Sequence, residues 1–380
     1  MIGLILLPFF IVFNIYLNIV IMKWLSLFTK VNNNSYIKKI ILFIQIILTG
    51  MLGISLLIPN SNIKKIFNII GNYYLGLIIY AFFVMILLFI IRLFLKRVSK
   101  KMYIITGFIA IILVIGINIY GVINSNIIHT IRYSVNISKK SSVESLKIVM
   151  VADLHLGYNK GYNMIKNMVN KINKEKPDVV VIAGDIFDNN YDALDNPDDM
   201  IKELKKIRTK YGVYAVYGNH DIKENVLFGF TFGNNKQSDS RMNKFLKNSN
   251  IKLLNDDYVL IKDSIYLYGR PDYNKSIKRK SVKGVVNKMD KSKPIIVVDH
   301  QPKELDDLAM NGVDLDLSGH THDGQIFPLN LFVKLAYKNS YGIKKIGNMN
   351  SIVTSGIGIY GPNMRVLTKA EITSITVNFN

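Results

Sequence analysis

The chain has 380 residues, more than one domain usually needs, with 48 Lys and Arg against 27 Asp and Glu. It contains no cysteine, which excludes disulfides, zinc–thiolate sites and thiol catalysis and leaves the redox compartment open. The charge is lopsided: residues 1–143 carry 14 basic and no acidic residues, so residues 144–380 keep 34 basic against 27 acidic, a net of +7. No basic stripe is interleaved with aromatics, so nucleic acid is not expected as a partner.

Four apolar runs fill the first third, at residues 2–22, 40–58, 74–95 and 103–123. Each is close to the ~20 residues a helix needs to cross a bilayer core. The first lacks the basic start and small-residue cleavage site of a signal peptide, and three similar runs follow it. Residues 1–124 are therefore expected to form a transmembrane region of four helices. Asn14, Asn18, Gln45 and Asn118 are the main polar intrusions, and Arg92 sits near an end. Ion and proton paths need ionisable groups at depth, so the region reads as an anchor with room for a lipid-facing groove, not as a transporter. Lys23, Lys30, Lys38, Lys39, Arg92, Lys96, Arg97, Lys100 and Lys101 fall in the first and third loops, against Lys64, Lys65, Arg132, Lys139 and Lys140 on the other side. Nine against five places the first and third loops in the cytoplasm and the remainder of the chain outside it.

Residues 125–143 read as a linker, and the pattern changes at residue 144. "LKIVMVADLH", "DVVVIAGD", "GVYAVYGNHD", "IIVVDH" and "VDLDLSGHTH" are apolar runs bounded by polar residues, the pattern of buried strands. Helical spacing fills the gaps, as in "GYNMIKNMVNKINKEK" and "PDDMIKELKKIRTK". A strand-rich tail follows ("YGIKKIGNMNSIVTSGIGIYG", "AEITSITVNF"), and the whole predicts an α/β sandwich with a mixed sheet.

Every one of those five strands ends in acids, amides or imidazoles: Asp153 and His155, Asp185 and Asp188, Asn219, His220 and Asp221, His300, then His320 and His322. Five of the chain's six histidines lie there. A core has no use for uncompensated carboxylates at strand ends, whereas open α/β sheets build active sites there. Carboxylate, amide and imidazole donors without thiolate suit manganese, iron or zinc. The suitable ligands are Asp153, His155, Asp185, Asn219, His300, His320 and His322, too many for one ion and natural for two that share a carboxylate. Gly184, Gly218 and Gly319 read equally as sites of close backbone approach or as plain turn residues.

The series "DLH", "GDIFD", "GNHD", "DHQP" and "GHTH" is similar in order and spacing to the calcineurin-like metallophosphoesterase family, over about residues 147–380. With the four apolar runs and the loop "SGIGIYGP", the chain resembles the membrane-attached branch of YkuE-like and YaeI-like phosphoesterases. The resemblance implies a four-layer α/β/β/α sandwich over residues 144–380 and two divalent ions, manganese first and iron or zinc next. It gives Asp153, His155 and His322 to one ion, Asn219, His300 and His320 to the other, and Asp185 to both. His220 resembles the family's catalytic histidine that is not a ligand, with Asp188 or Asp221 as the carboxylate that orients it. Three functions follow from this reading. One is a phosphodiesterase or pyrophosphatase acting on a lipid-linked substrate such as a UDP-diacylglucosamine-like molecule. The second is a general phosphoesterase that is merely tethered, and the third a non-enzymatic receptor for a phosphorylated ligand. The presence of His220 favours the first two.

Overall fold

A backbone in apolar surroundings must satisfy its own N–H and C=O groups, and long apolar stretches do so as helices. In the computed structural model, which describes residues 2–27, 36–59, 61–95, 97–227, 230–232 and 236–380, the first third forms α1 (Ile2–Leu25), α2 (Tyr36–Leu57), α3 (Asn62–Leu93) and α4 (Lys100–Asn124). All four are long and apolar enough to cross a membrane. Of the loop cations counted above, Lys30 and Lys96 lie outside the described residues. The third helix starts twelve residues before the expected 74, because "NIKKIFNIIGN" continues the helical pattern with polar residues that an apolar window leaves out.

The chain divides into two compact units, residues 1–123 with 225–232 and 361–364, and residues 124–224, 233–360 and 365–380. In the helical unit the polar intrusions find one another. Gln45 Nε2 donates to Asn14 O (2.7 Å), Asn18 Nδ2 to Gln45 Oε1 (2.7 Å), and Thr49 and Tyr74 hydroxyls to Asn14 Oδ1. Hydrogen bonds of this kind hold apolar helices together where burial of oily surface cannot. A mainly apolar cavity of about 340 Å³ lies between α1, α3 and α4, with Arg92 and Tyr103 in its wall. Leu227, in a short hairpin of β-strands from the second half of the chain, packs with Leu52 and Leu75.

The second unit begins with the segment read as a linker, which is instead an edge strand. Ile131, Tyr133, Val135 and Ile137 alternate along it, and it pairs in parallel over ten residues with the final strand. In chain order the elements after α4 are β1 (Ile128–Ile137), β2 (Ser145–Val151), α5 (Tyr162–Glu175), β3 (Val179–Ala183), α6 (Pro197–Leu204), β4 (Val213–Val216) and the hairpin strands β5 (Asn225–Leu227) and β6 (Phe230–Phe232). They continue as α7 (Ser240–Asn248), β7 (Ile251–Leu253), β8 (Asp257–Ile261), β9 (Ile265–Gly269), α8 (Val282–Val286), β10 (Ile295–Val298), α9 (Leu305–Met310), β11 (Leu315–Ser318), α10 (Leu329–Ala336), β12 (Gly342–Ile346), β13 (Met349–Val353) and β14 (Ala370–Phe379).

Two six-stranded sheets result, ordered β1-β14-β2-β3-β4-β7 and β12-β13-β11-β10-β9-β8. Alternate residues of each strand face opposite sides. Ile148, Met150, Val179 and Val181 therefore meet Leu267, Ile296, Leu315 and Leu317 between the sheets. Val149, Val151, Val180 and Ile182 pack outward on α5, α6 and α7, and Tyr266, Ile295 and Val297 pack outward on α8 and α9. This is the four-layer α/β/β/α sandwich. Strands β2, β3 and β4 run parallel to one another, as do β10 and β11, so each set opens its carboxyl ends toward one side.

Candidate metal centre

The loops leaving β2, β3, β4, β10 and β11 turn sharply inward. Asp153, His155, Asp185, His320 and His322 all adopt left-handed backbone, with φ of 53°, 47°, 50°, 71° and 51°. Such conformations cost non-glycine residues roughly 1–2 kcal/mol each and persist where surrounding structure imposes them, commonly at functional sites. Two glycines make the crowding possible. A Cβ on Gly218 would lie 2.2 Å from Asp185 Oδ1, and one on Gly184 (φ +81°) would lie 2.5 Å from His300 Nδ1. Close approach, not merely turn geometry, is what these two positions require.

The side chains converge in two sets. Ligand atoms of Asp153, His155 and His322 lie within 4.8 Å of one another, as do those of Asp185, His300 and His320. Asn219 joins the second set, its Oδ1 3.1 Å from His300 Nε2. Asp185 stands between them, with Oδ2 3.2 Å from His300 Nε2 and 3.7 Å from His155 Nε2. Its Oδ1 accepts the His220 amide at 2.7 Å. His300 Nδ1 donates to Ala183 O at 2.9 Å, which turns Nε2 toward the centre.

Electrostatics sort the imidazoles. Burial opposes charge on His300, yet Asp185 and Asp153 hold it well above the ordinary imidazole value. Asp185 is correspondingly held well below the usual carboxylate range by His300, His220 and His155, against the effect of burial. Burial drops His320 to about 3, with His300 adding repulsion, and burial with His155 and Arg365 holds His322 well below its ordinary value. His320 and His322 are thus neutral, the form in which imidazole binds metal. Burial pushes Asp153 up to about 6.

The residues fit divalent cations. His155 and His322 face each other through Nε2 atoms 3.1 Å apart, and His300 Nε2 faces His320 Nδ1 at 3.1 Å. His155 Nδ1 is buried without a hydrogen-bond partner. Carboxylates, an amide oxygen and paired imidazoles pointing at one another form a donor set that protein groups alone leave poorly satisfied.

One assignment needs correction. Neither Asp188 nor Asp221 orients the His220 ring. Asp221 is fully buried and accepts the amides of Phe187 (2.8 Å) and Gly218 (2.7 Å), fastening the β3 and β4 loops together. Asp188 Oδ1 lies 3.6 Å from His155 Nδ1. The group at His220 Nδ1 is Asn189 Oδ1. Two further residues escaped sequence reasoning. Tyr360 places its ring 5.0–5.9 Å from those of His322, His155 and His220. Arg365, fully buried, donates to Ser355 O (2.7 Å) and Gly358 O (2.8 Å) and stands 3.3 Å from His322 Nδ1. Position after Asp188 and membership of "SGIGIYGP" were the available signals for Asn189 and Tyr360; a single arginine in the tail carried none.

Comparison with known proteins adds to this geometry. Residues 146–324 match the family model described as calcineurin-like phosphoesterase. An uncharacterized metallophosphoesterase of Campylobacter jejuni is 31% identical over 263 residues, covering 68% of this chain and 66% of its own length. The uncharacterized metallophosphoesterase YkuE of Bacillus subtilis is 30% identical over 263 residues, 66% of this chain and 84% of its own. A zebrafish (Danio rerio) transmembrane protein with metallophosphoesterase domain is 28% identical over 279 residues, 71% and 62% respectively. The chain thus spans about two thirds of the Campylobacter jejuni relative.

Proposed function

This chain belongs to the calcineurin-like phosphoesterase family, and from that premise we propose that it is a membrane-anchored phosphohydrolase that cleaves a phosphodiester or pyrophosphate bond with two divalent ions. The observation that carries the reading is Asp185, whose carboxylate lies between two sets of imidazoles at 3.2 and 3.7 Å. Asp153, His155 and His322 would hold one ion, Asn219, His300 and His320 the other, with Asp185 shared. Bound there, two ions lower the pKa of water and neutralise charge on phosphoryl oxygens. His220 protonates the leaving oxygen or steadies the charge that develops on it, and Asn189 fixes its ring. Arg365 acts through His322 as a positioning residue.

Manganese is the proposed metal, because the donors are oxygen and imidazole nitrogen without sulfur. The test uses the full-length protein in detergent, stripped with chelator and reloaded with manganese, iron or zinc. Hydrolysis of a chromogenic diester should require reloading and be fastest with manganese. Undiminished activity after stripping would sink the proposal.

The four apolar helices support a substrate that is itself lipid-linked, of the UDP-diacylglucosamine-like kind, and membrane lipids as the surroundings of the anchor. On this reading, the protein in bilayers outperforms the protein in detergent on lipid-linked pyrophosphates but not on water-soluble esters. Equal ratios would leave a tethered general phosphoesterase. The surplus of nine loop cations over five supports an extracytoplasmic catalytic unit. Ser142 is exposed in a chain without cysteine, so Ser142→Cys offers a single thiol for a membrane-impermeant maleimide. Labelling of intact cells is expected; labelling only after lysis reverses the orientation.

A further inference from the structure

A polar cavity of about 480 Å³ lies under the amino end of α5, lined by Ser125, Asn126, Lys160, Asn163 and Asp195 among others. We infer that this cavity is a second anion site, which binds a phosphate of the substrate other than the one attacked at the metal centre. The inference rests on the phosphoesterase reading and narrows its substrates to molecules that carry two phosphates.

Lys160 is the main observation. Only 7% of it is exposed, and its Nζ donates to Ser125 O (3.2 Å) and Asn126 Oδ1 (3.0 Å). Both acceptors are neutral, one N–H of the ammonium is left over, and no carboxylate of the described residues pairs with it. A buried cation without a counter-charge is costly, and folds pair such charges wherever they can. Burial lowers Lys160 to about 8, with Arg365 adding repulsion, so it still carries its charge at neutral pH.

The backbone adds a second source of positive potential in the same wall. Helix α5 runs for 14 residues, and Gly161 at its N-cap brings no side-chain acceptor for the first-turn amides. Gly161, Tyr162 and Asn163 line the cavity together with Lys160. A helix start presents free N–H groups and partial positive charge, which suit a phosphate. Asp195, the single acid in the lining, is exposed to solvent, where its field is screened.

The cavity also borders the metal centre. Gly157 in its wall is two residues from His155, and a Cβ there would lie 3.2 Å from Asp188 Cβ. Ile357, also in the wall, donates its amide to Ala152 O (3.0 Å), next to Asp153. The cavity wall and the metal centre therefore share the loops that follow β2 and β13. For a diphosphate diester, the water oxygen bonds to the attacked phosphorus and the bond to the bridging oxygen breaks. The two water protons end on the two phosphate products, one of which is the group held at Lys160.

The test compares methyl 4-nitrophenyl phosphate with P1-methyl P2-(4-nitrophenyl) diphosphate, and with a long-chain alkyl version of the diphosphate. The manganese-loaded full chain in lipid nanodiscs is the enzyme, and products are separated by chromatography. Lys160→Gln should raise the ratio of diphosphate KM to monophosphate-diester KM by about 10- to 100-fold, the loss of a charged hydrogen bond. Asn163→Asp is the second variant: an acid in the first turn stabilises a helix, so its melting temperature should hold or rise while the same KM ratio increases. Equal losses on the soluble and lipid-linked diphosphates mean that phosphate itself is read; a loss confined to the lipid form means a headgroup phosphate is read. An unchanged ratio in both variants, or wild-type hydrolysis of the simple diester alone, overturns the inference and leaves the phosphoesterase reading standing. Inactivity of the wild type on all three substrates sinks both.

Discussion

Buried polar groups are treated in opposite ways in the two units. Among the helices, Asn14, Asn18, Gln45, Thr49 and Tyr74 close on one another, so the polar atoms are used up in holding α1, α2 and α3. At the strand ends of the sandwich, imidazoles face imidazoles at 3.1 Å and a buried His155 nitrogen has no hydrogen bond, with Asp188 Oδ1 3.6 Å away. A self-satisfied network adds stability and offers nothing to a ligand. An unsatisfied one is costly until something binds, which is why polar residues of similar kinds mean architecture in one unit and chemistry in the other.

The largest test of that contrast is Asp185→Asn. It should abolish measurable hydrolysis and reduce bound metal, read by elemental analysis, because one carboxylate serves both sets. Full activity with undiminished metal would show that the strand-end groups are as self-contained as the helical ones. Next comes His220→Ala, expected to keep its metal and to lose about 10²–10⁴ in kcat. Wild-type kcat in that variant would remove His220 from the reaction.

A third experiment sharpens the comparison through pH. Asp316, on β11, is buried between Ser318 and Ser351, and burial with repulsion from Asp299 pushes it up to about 7 from an ordinary 3.8. The folded state then holds this proton more tightly than the unfolded chain does. Its contribution favours folding at low pH and is lost as pH climbs from about 4 to about 7. Asp316→Asn should therefore gain stability over the wild type at pH 8 relative to pH 5, by about 1–3 kcal/mol, in denaturant melts. A pH-independent difference would mean that Asp316 does not titrate. The smallest effect is expected in the helices: Gln45→Leu should cost about 1 kcal/mol in resistance to unfolding in detergent and leave hydrolysis of a soluble diester unchanged. A drop in that hydrolysis would break the division of labour.

Much of the site was legible because ligands must be particular residue types at strand ends. Rare histidines beside acids, after apolar runs, left few other readings for Asp153, His155, His300 or His322. Asn189 and Arg365 were not legible, since their work depends on which loop meets which in three dimensions. Asparagine after an aspartate is ordinary turn chemistry until His220 is seen beside it. The fold was legible in its alternation of strands and helices, and the two-sheet arrangement came only through family resemblance. The segment at 128–137 was misjudged for another reason. Its period of two was present in Ile131, Tyr133, Val135 and Ile137, but edge strands carry polar residues on their outer side, and those masked the pattern.

That edge strand also bears on how the protein comes to be folded. Ile128 pairs with Ala370, and the match continues to Ile137 and Phe379, so every rung of the ladder joins residues 242 apart in the chain. Closing a loop of that length brings a large entropy loss before any contact repays it, and folding rates fall as partners grow more distant along the chain. Until β1 docks, ten residues of β14 present unpaired backbone on one side, a template for any other extended chain. A fragment cut at residue 144 would keep the whole metal centre and still be permanently in that state. Aggregation of such a fragment, and its cure by restoring residues 125–143, would reflect the missing strand and nothing about catalysis.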